Sequence, residues 1–376
     1  MLTRFICTVF GWFSNGIRTG GKFKVSRFIR RPSSSALTML FGIGLIISLT
    51  VAACTTPNSP TAANSPSPVS QENQLKVLKM AHQKGMANLE ILYAQGSLEK
   101  RLQPLGITVE WTEFPSTSPL LEAMSVKSLD FGGGGGTGSV FAQSSDKPFV
   151  RVARERSASL TGQAVLVLDQ SPIQTLADLK GKKVAFAKGA SSHYIIVQAL
   201  KKANLKLSDI EPVFLSPADA LPAFERGDID AWVIWDPYTA QTQKSLKTRV
   251  VADLNDIFGD RATFESPAFY YATPELVSQH PDVLNVILEE VNNAGAWAKD
   301  NVGDAAQLLA KVYGLDLAIM KTVQERAGDR RIVPVDDEVL TALQQMADTF
   351  TQLKVIPKQI NVKDPSYTWV SSKQWS

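Results

Sequence analysis

The chain has 376 residues, 44% of them hydrophobic and 20% charged. That is the balance of a globular protein and excludes a collagenous, disulfide-rich or wholly disordered one. The formal charge of +3 misleads: residues 1–53 hold seven basic side chains (Arg4, Arg18, Lys22, Lys24, Arg27, Arg30, Arg31) and no acidic one, leaving 32 basic against 36 acidic in the rest.

A net acidic body speaks against nucleic-acid binding, which needs clustered Lys and Arg. Cys7 and Cys54 both precede the globular part, so neither a disulfide nor a cysteine zinc site is expected there. His82, His193 and His280 form no ligand pair in sequence, and neither a metal nor a cofactor is expected.

In chain order, Ala36 to Ala53 is an 18-residue run without a charge, behind the basic Arg27, Arg30 and Arg31. It reads as an export signal. Val51-Ala52-Ala53-Cys54 resembles a bacterial lipobox, so residues 1–53 are expected to be a lipoprotein-type signal peptide, with lipidation at Cys54. An uncleaved membrane anchor is the alternative. Either way the body lies outside the cytoplasm, since the basic flank stays inside. Residues 54–74 form a tether: 14 of the 20 residues from Thr55 to Gln74 are Pro, Ser, Thr or Asn. Such a segment cannot bury a core, and at about 3.1 Å per residue it reaches roughly 60 Å.

From 75 onward, short apolar runs alternate with helical patterns. Strands are expected at 75–81, 107–114, 128–132, 149–153, 164–169, 183–187, 212–216, 230–235 and 269–273, with helical windows between them and a mostly helical C-terminal segment. This alternation predicts an α/β protein with mainly parallel strands. Two stretches, 120–132 and 220–233, share a helix–turn–strand design with Asp130 and Asp230 at matching places, which suggests two similar lobes.

Four motifs sit at expected strand ends, where open α/β sheets bind ligands. Gln83-Lys84-Gly85 follows the first strand. Gly132 to Gly136, with Thr137, offers backbone N–H groups to an anion, or is a flexible turn. Gly133, Gly135 and Gly138 fit a dinucleotide fingerprint only trivially. Ser191, Ser192 and His193 open a helix, where a serine would cap it. Trp235 offers an apolar wall, and Asp236 before Pro237 is helix-start chemistry. Neither a nucleophile elbow nor a P-loop is present. Arg154 and Arg156 read as exposed hinge arginines, with an anion contact as the alternative.

On the segments 83–85, 128–132, 171–194, 215–238 and 280–298, the body resembles the aliphatic-sulfonate-binding proteins of bacterial ABC importers. The resemblance implies a two-lobed periplasmic-binding-protein fold (type II) in which the chain crosses between lobes twice. Lobe one would be 75–165 plus 265–370, and lobe two 166–264. It implies a monomeric binding protein, not an enzyme, that closes on a small anion and docks on a membrane permease. The expected ligand-binding residues are Gln83, Gly85, Gly134, Gly136, Thr137, Ser191, Ser192, His193, Trp235 and Asp236. Taurine, nitrate, bicarbonate or a pyrimidine precursor are alternative ligands, and an enzyme or a ligand sensor on the same fold is a further alternative.

Overall fold

A computed structural model describes residues 74–157 and 159–370. The expected signal peptide and the lipidation at Cys54 lie outside these residues. Among the described residues, no helix is long and apolar enough to cross a membrane.

Among the described residues, eleven strands make two sheets. The first contains β1 (Val77–His82), β2 (Thr108–Glu113), β3 (Phe131–Gly135), β4 (Val150–Glu155), β10 (Ala268–Ala272) and β11 (Ile332–Val333), in the order β11-β4-β10-β3-β1-β2. The second contains β5 (Gln163–Leu168), β6 (Lys183–Phe186), β7 (Glu211–Phe214), β8 (Ala231–Trp235) and β9 (Thr248–Asp253), in the order β7-β6-β8-β5-β9. The chain therefore passes between sheets twice, after β4 and after β9.

The sheets are mixed, not mainly parallel. Parallel pairing joins β1 to β2 and β3, and β6 to β7 and β8. Antiparallel pairing joins β10 to β3 and β4, β11 to β4, and β5 to β8 and β9. The strands that enter each sheet directly after a passage, β5 and β10, run against their neighbours.

Both sheets are covered on both faces, which explains why their central strands are apolar without a break. In β5, Val165 and Val167 face one core with Ile195, Ile196 and Leu200, while Ala164 and Leu166 face another with Phe224 and Trp232. In β10, Tyr270 and Ala272 pack with Leu284, Ile287 and Leu288 of the helix Pro281–Asp300. Phe269 and Tyr271 pack with Leu343, Met346 and Phe350 of the helix Asp337–Gln352.

The glycine run is itself a strand. Gly132 to Gly135 lie in β3, where a flexible turn or loop cradle was expected. The reason is space. A Cβ on Gly132 would stand 2.9 Å from both the Ala81 Cβ and a Leu120 methyl, and one on Gly133 would stand 2.6 Å from the Met86 methyl. Side chains from both covering layers occupy the volume that a residue with a side chain would need.

The repeated aspartates do the same task in each sheet. Asp130 precedes β3; its backbone N–H donates to Lys79 O at 2.9 Å, and its carboxylate accepts from Lys79 N at 2.8 Å. Asp230 precedes β8 and makes the same two bonds to Lys183, at 2.8 and 2.7 Å. Each clamps the neighbouring parallel strand and sets its register. The Asp130 bond is half-buried and the Asp230 bond is exposed. Asp130→Ala should therefore cost about 1–3 kcal/mol of stability, through a stranded backbone donor. Asp230→Ala should cost less, because water replaces its partner; urea unfolding of the two variants gives the order.

Candidate ligand-binding site

A cavity of about 110 Å³ lies where the carboxyl ends of the parallel strands meet the amino ends of β5 and β10. Both sheets supply its wall. From the first come Gln83 to Met86 after β1, Gly134 and Gly135 of β3, Glu155 of β4, and Ser266, Pro267 and Ala268 at β10. From the second come Gly162 and Gln163 at β5, Ala190 and Ser191 after β6, and Trp235 and Asp236 at β8. Ser116, Thr117, Ser159 and Arg330 complete it.

Four helices begin at this wall: Ala87–Gln95, Thr117–Ser125, Gly136–Ser144 and Ser191–Lys202. Their N-cap residues, Met86, Ser116, Gly135 and Ala190, all line the cavity, and none makes a side-chain capping bond. Helix N-termini carry partial positive charge and unsatisfied N–H donors. Side-chain caps occur elsewhere, where Ser216, Thr273 and Asp336 accept from Asp219 N, Leu276 N and Val339 N. Helices such as Pro281–Asp300 and Val302–Tyr313 also start without one, so what sets the cavity apart is that four such starts meet there.

The loop after β1 is fixed across the cavity. Trp235 Nε1 donates to Lys84 O at 3.2 Å, and Gln83 Nε2 donates to Gly133 O. Gly85 has φ +107°, and a Cβ there would stand 2.9 Å from the Trp235 ring. Only glycine admits both the backbone turn and the indole. On the other side of the mouth, Ser118 Oγ donates to Gly189 O at 3.0 Å.

Three of the four charged residues on the wall are buried, and Lys84 is partly exposed. Arg330 is 9% exposed, and its Nη1 has no hydrogen-bond partner. Burial pushes the Glu155 carboxyl up to about 7, against the pull of Arg330; Tyr270 Oη donates to it at 3.1 Å. Burial also pushes Asp236 up to about 6, opposed by Arg326 and by the Ala240 backbone N–H. Asp236 Oδ1 accepts from Ala240 N at 3.0 Å, within the first turn of the helix Tyr238–Ser245. Its Oδ2 makes no hydrogen bond.

Of the ten residues expected to bind ligand, the structure brings Gln83, Gly85, Gly134, Ser191, Trp235 and Asp236 to the cavity. The other four lie elsewhere. Gly136 packs under Leu343 and Phe269. Thr137 is buried, with its hydroxyl on the Met346 sulfur at 3.4 Å. Ser192 Oγ accepts from Ala187 N at 3.2 Å, and Ala190, not a serine, holds the N-cap position. His193 is buried among Phe141, Phe186, Phe214 and Phe350. A helix start shows one face to the cavity, and the next residues on it turn inward.

Arg154 is not exposed: it is buried and bonds Asp336 at 2.5 and 3.0 Å. Arg156 pairs with Asp329 at 3.7 Å. The cavity's arginine is Arg330, which sequence reasoning missed. It stands in a short segment between helices, and the only signal was three arginines within six residues, Arg326, Arg330 and Arg331.

Two α/β sheets joined by two chain passages, with one cavity between their strand ends, define the two-lobed fold of the periplasmic binding proteins. The chain belongs to the NMT1/THI5-like family, whose pattern matches residues 103–305. It is 34% identical over 295 residues to an aliphatic sulfonates-binding protein of Escherichia coli (strain K12), covering 78% of this chain and 90% of that one. The crystal structure of the periplasmic aliphatic sulphonate binding protein SsuA from Escherichia coli is similar with a TM-score of 0.69 at 33% identity, over 80% of this chain and 96% of that one. The alkanesulfonate-binding protein SsuA from Xanthomonas axonopodis pv. citri, bound to MOPS, gives 0.74 at 29% identity, over 79% and 99%.

His193 provides a test of its placement. Burial lowers its pKa from 6.5 to about 4. The unfolded chain takes the proton first, so stability falls as pH drops below 6.5 and levels off near 4. Between pH 7 and pH 5 the loss is about 2 kcal/mol. His193→Phe should remove that component from urea unfolding curves measured beside the parent and leave ligand affinity unchanged.

Proposed function

We propose that the protein is the extracytoplasmic solute-binding component of an ABC importer, capturing aliphatic sulfonates between two lobes and delivering them to a membrane permease. The lobes are residues 75–165 with 265–370, and residues 166–264, except that β5 goes whole with the second. Anchoring through a lipid on Cys54, export by the preceding segment and a monomeric state belong to the same reading.

The observation that carries it is the meeting of four helix starts without side-chain caps and one buried guanidinium with an unpartnered nitrogen at a single cavity. A sulfonate is a tetrahedral monoanion with three acceptor oxygens. Arginine and aligned backbone N–H groups suit such an anion, each supplying charge or partial charge together with a directed donor. Ser116, Thr117 and Ser191 add hydroxyls. Trp235 offers its ring to the alkyl part. The named relatives are binding proteins for sulfonates, which supports both the ligand class and a binding role rather than catalysis.

Titration calorimetry tests the reading. Ethanesulfonate should bind the parent protein, and Arg330→Gln should cost about 2 kcal/mol or more of binding free energy. Binding of nitrate or bicarbonate, with no heat from a panel of alkanesulfonates, would remove sulfonates as the ligand class.

A further inference from the structure

The sulfonate reading gives no task to Arg326, which follows the helix Leu317–Glu325 and does not line the cavity. Its Nη1 donates to Thr161 O and its Nη2 to Gln243 Oε1, both at 3.1 Å. Its Nε donates to Thr322 O at 3.4 Å and lies 3.5 Å from Asp236 Oδ2. The guanidinium thus joins the crossing segment before β5, the helix after β8, and the carboxylate in the cavity wall.

That carboxylate is a problem for an anion site. Asp236 is buried, and its Oδ2 makes no hydrogen bond. A Cβ on Gly162 would stand 2.8 Å from this oxygen, so the backbone of the crossing segment closes over it. The charged groups around Asp236 are Arg326, Arg330, Glu155 and Lys84. Without Arg326, Asp236 would repel an incoming anion and draw on Arg330, the cation placed to receive it. Glu155 makes less demand on Arg330, because the Tyr270 hydroxyl donates to it and burial favours its neutral form.

We propose that Arg326 determines the specificity of the cavity for anions: it neutralises Asp236 from behind the wall and so leaves Arg330 to the ligand. The proposal rests on the anion-binding reading above. Arg326 acts through Asp236 and touches no ligand; it is a positioning residue for charge.

The test uses the full chain as four proteins: parent, Arg326→Gln, Asp236→Asn and the double variant. Ethanesulfonate is titrated into each at pH 8 and pH 5. Arg326→Gln should bind about tenfold more weakly at pH 8, a loss that shrinks at pH 5, where Asp236 is mostly protonated. Asp236→Asn should bind more tightly than the parent, and the double variant should recover most of the affinity lost in Arg326→Gln. A double variant as weak as Arg326→Gln would overturn the proposal, since it would leave Arg326 only its bonds to Thr161, Gln243 and Thr322. If the parent itself binds no sulfonate, the ligand reading fails, and melting temperatures without ligand still decide the charge pairing. Arg326→Gln should then lower the melting temperature more at pH 8 than at pH 5, and combining it with Asp236→Asn should abolish that difference. Equal lowering at both pH values would overturn the pairing.

Discussion

The site is arranged around an arginine withdrawn from water with one nitrogen unpartnered. A guanidinium stays charged at any physiological pH, so Arg330 cannot resolve its burial by losing a proton. A carboxylate of the protein could complete it, and two stand nearby, but each is already engaged. Glu155 accepts from Tyr270, and Asp236 is shared between the Ala240 N–H and Arg326. The four helix starts add positive potential to the same space and no negative one. What remains is a site whose electrostatics suit an anion from outside.

Geometry and charge come from the same construction. The parallel strands of both sheets point their carboxyl ends at one gap, and the helices that follow them must begin there. The two aspartate clamps, Asp130 to Lys79 and Asp230 to Lys183, fix strand register in each sheet by the same pair of bonds. The lobes share a local device, although the first sheet has six strands and the second five. Register then sets how far each strand end reaches into the gap, and with it the position of each helix start.

The general form of the fold was legible because the central strands are apolar without a break and their helices have one apolar face. Motifs at strand ends located the cavity for the same reason, since a strand end is where a side chain leaves the core. Strand direction was not legible. An apolar run such as 164–169 reads the same whether it pairs parallel or, as β5 does, antiparallel. β9 carries Thr248, Arg249 and Asp253 and is only partly buried, so its pattern never stood out, and the two residues of β11 are too few to form one. The glycines of β3 misled in a different way, because a strand without side chains shows no alternation to read. Arg330 was missed because the sequence does not show which of three neighbouring arginines turns into a cavity formed by residues more than sixty positions away. Ser192 and His193 show the converse: the sequence marks a helix start but not which of its residues faces the cavity.

The strand of glycines also limits how this site can change over evolutionary time. At Gly132, Gly133 and Gly134 even a methyl group would intrude on Leu120, Met86 or Thr117, so these positions cannot drift through a series of small steps. The strand that ends in the cavity wall is in effect frozen, and any change of ligand must be written in the rim. Ser116 and Ser191 stand there as side chains outside the strands. A lineage built on this strand would diversify by repainting its rim while its backbone stayed still, so that proteins with nearly superimposable sheets could come to prefer different anions.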